Sequence, residues 1–262
     1  MTYPFPDKLN IQASGFGQVL TARQSIARAK RVMLDIEKIS PWRRPFSVTG
    51  CTESTGNLPI AEDFSNFDEM VMRALQSYDE RKYFNEGEPD NFELMPDSTS
   101  SLGFRETFYK CSTRDDYESA VSISLQSSGT KNGLSLDDSL YIIQIRAFEH
   151  DQVNEQWSNS SLVHTLFNYF IDTYDPVRCR VYSSYQGLRT DTEEPSYNMG
   201  WLNYTRDPKV AGVFVSTGKS VPYRNGVLLS FGDDASALSD PKVDAELIEI
   251  RSALRSVGVS CF

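Results

Sequence analysis

The sequence predicts an α+β fold in which a mostly antiparallel β-sheet is packed by amphipathic helices. Some segments repeat apolar residues at the helical spacing of about 3.6, and others alternate apolar and polar residues with a period of two. The helical segments come early, midway and last, between strands that can pair as neighbours. Because no internal repeat or linker is visible in the 262 residues, we predict a single domain over residues 1–262.

The first helix is predicted over Thr21–Ser40, and Pro41 stops it. Its apolar positions recur at helical spacing, so they form one buried stripe. These positions are Ile26, Ala29, Met33 and Ile36. The basic residues are expected to face solvent, and they are Arg23, Arg28, Lys30, Arg31 and Lys38.

A short strand is predicted at Phe46–Cys51, followed by a second helix with Ser65 as its N-cap. The buried face of this helix is predicted to hold Phe67, Val71, Ala74, Leu75 and Tyr78. Residues 85–101 are rich in Gly, Pro, Asp, Glu and Ser, which predicts an exposed loop. We take it as the first candidate for a functional loop.

The middle of the chain changes to a period of two. One strand contains Phe104 and Thr107–Tyr109, and further strands are predicted at Val121–Leu125 and Leu140–Phe148. A long helix follows at Trp157–Tyr174, and it ends at Asp175-Pro176. His164 falls inside this helix, where a lone histidine without partners is more often packed than catalytic.

The last third begins with a strand at Val177–Tyr185 and a polar stretch around residues 191–195, the second candidate loop. Met199–Tyr204 is predicted to be a strand, and residues 220–231 are predicted to form a hairpin across Asn225-Gly226. A final helix is predicted over Pro241–Val257. Its apolar face is expected to hold Val243, Leu247, Ile250, Ala253, Leu254 and Val257.

Charge is distributed unevenly along the chain. Residues 53–97 carry twelve carboxylates against three bases, whereas residues 1–50 carry three against eight. The net charges are −9 and +5, with −6 on the remainder, which gives a total of −10. An acidic field repels nucleic acid and accelerates encounter with a basic protein, although it also serves solubility alone.

The cysteines and the amino terminus predict a cytoplasmic protein. Cys51, Cys111, Cys179 and Cys261 are far apart and form no C-x-x-C pair, so a zinc site and a disulfide framework are both disfavoured. The start of the chain lacks the basic and apolar regions of a secretory signal. No run of 18 consecutive apolar residues occurs, so we also expect no membrane span.

Sequence signs of catalysis are scarce. The chain lacks H-E-x-x-H, G-x-S-x-G and P-loop patterns, and Gly15-Phe-Gly17 lacks the third glycine of a dinucleotide fingerprint, so it is taken as a turn. Acidic pairs such as Asp115-Asp116, Asp137-Asp138 and Asp233-Asp234 are plentiful. They keep open the alternative of a metal-dependent hydrolase that uses loop carboxylates. The leading expectation is that the chain is not an enzyme and needs no cofactor or metal.

Two stretches carry a resemblance to a known family. The first runs from Gly15 through Arg31 and into Ile39-Ser-Pro-Trp42. The second comprises Gly200-Trp-Leu-Asn-Tyr204 and Tyr223-Arg-Asn-Gly-Val-Leu-Leu-Ser-Phe-Gly-Asp-Asp234, with the terminal helix. Together they resemble the immunity protein 52 family of bacterial polymorphic-toxin systems. The chain departs from the family's aromatic-rich Tyr-Trp-Gly start, since only Phe16-Gly17 stands there.

The resemblance implies an α+β cytoplasmic immunity protein, or antitoxin. Such a protein binds and neutralises a cognate secreted toxin in interbacterial competition, typically a restriction-endonuclease-like nuclease delivered by a type VI secretion system. Direct binding of nucleic acid or membrane is not expected. The matched stretches cover roughly the first fifty and the last sixty residues, and they do not locate the toxin interface.

Charge and loop context supply the candidate toxin-binding residues. A nuclease toxin must have a basic substrate groove, and carboxylates placed against it would occlude or lock it. The candidates in the first loop are Glu86, Glu88, Asp90 and Glu93, and those in the second are Asp191, Glu193 and Glu194. Trp201 and Tyr204 match the family pattern, but in a strand such residues are more often packed than exposed, so a structural role is favoured.

Overall fold

A computed structural model describes twelve stretches of the chain, and it confirms the α+β class. The twelve described stretches are residues 8–15, 19–40, 46–49, 57–77, 94–100, 103–109, 121–127, 140–146, 160–183, 199–234, 236–237 and 240–259. By its contacts the chain divides into two compact units. The first unit comprises residues 15–143, and the second comprises residues 1–14 with 144–262. This division does not test the prediction of a single domain, which stays a prediction.

The described residues hold five helices and ten strands. The helices are α1 Ala22–Ile39, α2 Phe67–Ser77, α3 Ser160–Tyr174, α4 Pro208–Ser216 and α5 Pro241–Ser256. The strands are β1 Lys8–Ser14, β2 Phe46–Thr49, β3 Asn57–Ile60, β4 Arg105–Tyr109, β5 Val121–Gln126, β6 Leu140–Arg146, β7 Arg178–Ser183, β8 Leu202–Thr205, β9 Ser220–Tyr223 and β10 Gly226–Ser230. None of these helices is long and apolar enough to cross a membrane.

In the first unit, α1 and α2 pack on an antiparallel sheet with the strand order β3-β2-β4-β5. A capping box fixes the start of α1. The backbone N–H of Gln24 donates to the Thr21 hydroxyl (3.3 Å), and the Gln24 side chain accepts from the Thr21 N–H (3.0 Å). The predicted stripe of α1 is buried at Ile26, Ala29, Met33 and Ile36, which confirms the helical periodicity.

The first unit also buries a carboxylate that sequence analysis did not single out. Glu106 of β4 is only 2% exposed, and its Oε1 accepts a hydrogen bond from the Ser25 hydroxyl of α1 (2.6 Å). Burial raises the pKa of Glu106, and the nearby charge of Arg28 partly opposes that rise. The prediction that Arg28 faces solvent is wrong, because its Nε and Nη2 atoms are buried on the inner side of α1.

In the second unit the antiparallel strand order is β1-β7-β8-β10-β9. Helix α3 packs against β1 and β7, whereas α4 and α5 pack together with Leu229 of β10 in one hydrophobic cluster. On β1, apolar Leu9 and Ile11 alternate with polar Asn10 and Gln12, as the strand period requires. The alternation continues at Ala13, so the sequence did contain a strand signal that the prediction did not use.

The sequence prediction misses or misplaces several features. Strands β1 and β3 and helix α4 were not predicted. Val257, predicted to be buried, is the C-cap of α5 and is 43% exposed. The hairpin between β9 and β10 turns at Arg224-Asn225, one residue earlier than predicted, because Gly226 already pairs with Tyr223.

The segment Gly200–Tyr204 interlocks with its neighbours. The side chain of Asn203 bonds both backbone groups of Gly200: its Oδ1 accepts from the Gly200 N–H (3.0 Å), and its Nδ2 donates to the Gly200 carbonyl (2.6 Å). Trp201 and Tyr204 are fully buried, so the favoured structural role is confirmed for both. The backbone of Gly200 lies so close to β7 that a Cβ atom there would fall 2.5 Å from the Cα of Tyr182 and would also overlap the Val181 carbonyl oxygen.

We predict that Gly200→Ala lowers the free energy of unfolding by about 2 to 3 kcal/mol, because backbone atoms cannot yield to the added methyl group. Urea denaturation measures it. Gly212→Ala is the matched control, since a Cβ on this exposed α4 residue meets no atom within 4 Å. The control should raise stability by about 0.5 to 1 kcal/mol through helix propensity. Equal effects of both substitutions would contradict the packing argument.

We also predict a pH dependence that originates at Glu106. Because burial raises its pKa in the folded state, folded protein binds this proton more tightly than unfolded protein does. Stability therefore falls as the pH rises from the ordinary carboxyl pKa of 4.5 through the raised value. Glu106→Gln should remove that part of the slope in urea unfolding measured across this range.

The control for this pH series is Glu69→Gln, which removes an exposed carboxylate of α2. It should leave the pH profile of the wild-type protein nearly unchanged. If the Glu106→Gln profile also runs parallel to the wild-type profile, burial of Glu106 does not govern this part of the pH dependence.

Candidate functional site

All seven residues predicted to bind the toxin lie outside the described residues. Glu86, Glu88, Asp90 and Glu93 fall between residues 78 and 93, and Asp191, Glu193 and Glu194 fall between residues 184 and 198. Their assignment stays a prediction. The acidic pairs at 115–116 and 137–138 also lie outside. Asp234 is described, and its carboxylate accepts from the Ser236 N–H (2.8 Å), which is the turn-forming role expected of a loop acid.

Some basic residues of the amino-terminal block form ion pairs with carboxylates of the acidic block within the first unit. Arg23 of α1 lies 3.4 Å from Asp97, and Lys30 of α1 lies 3.2 Å from Asp68 of α2. A shallow cavity of about 440 Å³ runs along the outer face of α1 between Lys30 and Lys38. It contains cations and carboxylates side by side, so it has no strong preference for one sign of charge. Within the described stretches, no group of three or more His, Cys, Asp and Glu side chains could hold a metal ion.

The most distinctive surface in the described part of the chain lies in the second unit, where the β9–β10 hairpin tip meets the carboxyl end of α3. We call it the clamp surface, and it comprises Tyr169, Asp172, Tyr174, Asp175, Arg206, Tyr223, Arg224 and Asn225. Its central ion pair joins the Arg224 Nε to Oδ1 of Asp172 at 2.7 Å. The Asn225 side chain donates to Oδ1 of Asp175 (3.4 Å). Two consecutive turn residues are thus tied to one helix end.

Arg206, which follows β8, also contacts the chain at the carboxyl end of α3. Its Nη1 lies 3.3 Å from Oδ2 of Asp175, its Nη2 donates to the Asp175 carbonyl (2.6 Å), and its Nε donates to the Pro176 carbonyl (3.0 Å). Both carbonyls lie just beyond α3, in the turn that follows the helix. Arg206 therefore holds this turn and sets the position of Asp175, and its positive charge is favourable near the carboxyl end of a helix.

Two residues of the clamp surface have strained backbones. Arg224 has φ 50° and Asp175 has φ 45°, both in the left-handed region. For a residue with a long side chain such as arginine, this conformation costs about 1 to 2 kcal/mol. Asparagine tolerates it better, yet Asn225 occupies the next position instead. Strain of this kind persists where surrounding contacts hold it, and it concentrates at functional sites.

Buried aromatic packing supports the hairpin from the interior. Tyr204 is fully buried and meets the ring of Tyr223 edge-on, with 6.2 Å between centroids. A Cβ at Gly226 would fall 2.9 Å from the Tyr204 ring, so only glycine lets the hairpin lie against it. Burial first, and then the Asp175 carboxylate, raises the pKa of Tyr204 to about 12. The Tyr204 hydroxyl therefore stays protonated at neutral pH.

The outer part of the clamp surface is accessible. The side chains of Arg224 and Asp175 are 60% and 52% exposed, and Tyr223 is half-buried. Tyr169 and Tyr174 contribute further half-buried rings whose hydroxyls lie 3.3 Å apart. Tyrosine and arginine are the residues most enriched among energetically important contacts of protein interfaces. The clamp surface is thus rich in residue types that protein interfaces favour, and hydrogen bonds hold several of its side chains in place.

His164 of α3 does not belong to this surface. Its ring packs edge-on against Trp201 with 5.0 Å between centroids, and partial burial lowers its pKa. This packing confirms the interpretation of His164 as a packed histidine. Cys179 is also buried, as expected for a small hydrophobic side chain.

The sequence contained signals at the clamp surface, but they predicted only where elements of secondary structure end or turn. Asp175-Pro176 was identified as a helix end and Asn225-Gly226 as a turn. Nothing in one sequence shows that these two breaks, fifty residues apart, come together in space. Arg206 and Asp172 carried no local signal at all.

Comparison with known proteins adds no assignment. No protein-family model matches the chain, and no curated protein matches its sequence significantly. The resemblance to the immunity protein 52 family therefore depends on the sequence stretches described above.

Proposed function

We propose that this protein is an immunity protein that neutralises a cognate antibacterial toxin by protein–protein binding. The toxin proposed is a nuclease effector of a type VI secretion system, in line with the family resemblance. The observation that carries the binding function is the clamp surface. It presents half-buried tyrosines of α3 and of the hairpin beside Arg224, which an ion pair holds in place.

Pre-organisation is the physical reason why such a surface suits tight inhibition. When the side chains of a binding site are mobile, binding must order them. The lost entropy costs about 0.5 to 1.5 kcal/mol for each flexible side chain. Asp172 already orders Arg224, and Asp175 orders Arg206 and Asn225. An interface of about 1,200 to 2,000 Å² is large enough to contain this surface.

The acidic loops have a complementary role in this proposal. Glu86, Glu88, Asp90 and Glu93 in one predicted loop, with Asp191, Glu193 and Glu194 in the other, steer the chain toward a basic toxin groove in this proposal. Long-range attraction of this kind acts mainly on the association rate and weakens with salt. The net charge of −10 supports this direction of steering.

The first test is calorimetric titration of the protein with the purified product of the adjacent gene, made as a catalytically inactive variant. We predict nanomolar affinity that weakens as salt is raised from about 50 to 300 mM, because screening shortens the range of the acidic field. Absence of binding at micromolar concentration would contradict the proposal for that partner.

Charge reversal tests the acidic loop. We predict that Glu86→Lys with Glu88→Lys slows association by about tenfold at low salt, as measured by stopped-flow fluorescence. Asp233→Lys with Glu249→Lys is the matched control, since it changes the net charge equally at exposed positions of the second unit. If both pairs slow association to the same extent, overall charge is responsible and the loop assignment is wrong.

A further inference from the structure

We infer that Arg224 is a binding anchor whose guanidinium receives a carboxylate of the partner protein. This inference rests on the proposed function and names the chemistry of one contact. It depends on three observations about the hairpin tip: how Arg224 is held, how its backbone is strained, and which charges surround it.

The guanidinium of Arg224 is held in place, yet its side chain remains exposed. Asp172 takes a hydrogen bond from Nε at 2.7 Å, and the Tyr223 ring lies 6.0 Å from Cζ. The side chain is nevertheless 60% exposed. A guanidinium carries five N–H donors in one plane, so the contacts to Asp172 and to the Tyr223 side chain do not occupy all of them. The Asp172 contact thus holds the guanidinium in place while part of it stays accessible to a ligand.

Stability alone does not explain arginine at this position. Arg224 occupies a left-handed backbone conformation at φ 50°, where asparagine or glycine would be less strained. The exposed ion pair to Asp172 contributes little in water. An arginine kept against a backbone penalty at an exposed turn indicates that the guanidinium itself is needed.

The surrounding charges select the class of partner. A planar donor edge fits a carboxylate or a phosphate oxygen pair. Asp172 and Asp175 lie in the same surface, and the protein carries a net charge of −10, so a polyphosphate backbone would be repelled. A single carboxylate on a protein avoids most of that repulsion. Such a contact fixes the register of the complex, whereas the acidic loops accelerate its formation.

The test uses three variants of the full chain, each titrated with the inactive product of the adjacent gene. Arg224→Asn removes the guanidinium and relieves the backbone strain, and Arg224→Lys keeps the charge without the planar donor edge. Lys242→Asn is the control for loss of one exposed cation in the second unit. Melting temperatures of all variants are measured in parallel.

We expect Arg224→Asn to weaken binding by about 10 to 100-fold and Arg224→Lys by about 5 to 50-fold, while Lys242→Asn stays within about twofold of the wild-type protein. The melting temperature of Arg224→Asn should equal or exceed that of the wild-type protein, because asparagine suits the turn. Loss of affinity without loss of stability separates an anchor from a structural residue.

Other outcomes would overturn the inference in distinguishable ways. If wild-type protein binds and both Arg224 variants bind equally well, the anchor is wrong although the proposed function stands. If the wild-type protein does not bind, the proposed function fails and the anchor fails with it. If Arg224→Asn melts far below wild-type, the role is structural. Arg224-dependent binding of a short single-stranded oligonucleotide would replace the carboxylate by a phosphate.

Discussion

In the second unit, the backbone of Gly200 lies directly against the backbone of β7, and the arrangement of the surrounding strands depends on that contact. The Asn203 side chain holds Gly200 through both of its backbone groups, which directs β8 along β7. Tyr204 is then placed in the interior, where the absence of a side chain at Gly226 lets the β9–β10 hairpin approach. A glycine at each of these two contacts thus determines where the hairpin tip lies.

The clamp surface follows from that placement. Once the hairpin lies over Tyr204, its tip reaches the carboxyl end of α3, and Arg224 meets Asp172 there. Arg206, which directly follows β8, holds the turn after the same helix, so one end of this strand supplies both the interior support from Tyr204 and the contact to Asp175. The sequence stretches that resemble an immunity family are therefore fold-determining at Gly200–Tyr204 and surface-forming at Tyr223–Asn225. Helix α4 separates these two segments along the chain, and the pairing of β8 with β10 brings them together.

Local physics accounts for which elements the sequence could predict. Helices α1, α3 and α5 have long patterns of apolar residues at helical spacing. Such a pattern predicts a helix even where individual residues have low helix propensity. Helix α4 was missed because its valines and glycine disfavour helix, although Asp207 followed by Pro208 is an N-cap and first-turn signal that could have identified it. The partial burial of Arg28 near Glu106 was not predictable, since it requires knowing which strand lies beneath α1. The clamp surface was missed for the same reason: its residues converge only in the fold.

Hydrogen–deuterium exchange of the protein, alone and bound to the inactive product of the adjacent gene, tests most directly whether the clamp surface is the recognition site. Backbone amides report local opening, so a bound partner slows exchange where it stabilises the surface. We predict added protection at residues 169–175 and 220–226 in the bound state. Protection confined to α1 and α2, with these two segments unchanged, would contradict this prediction.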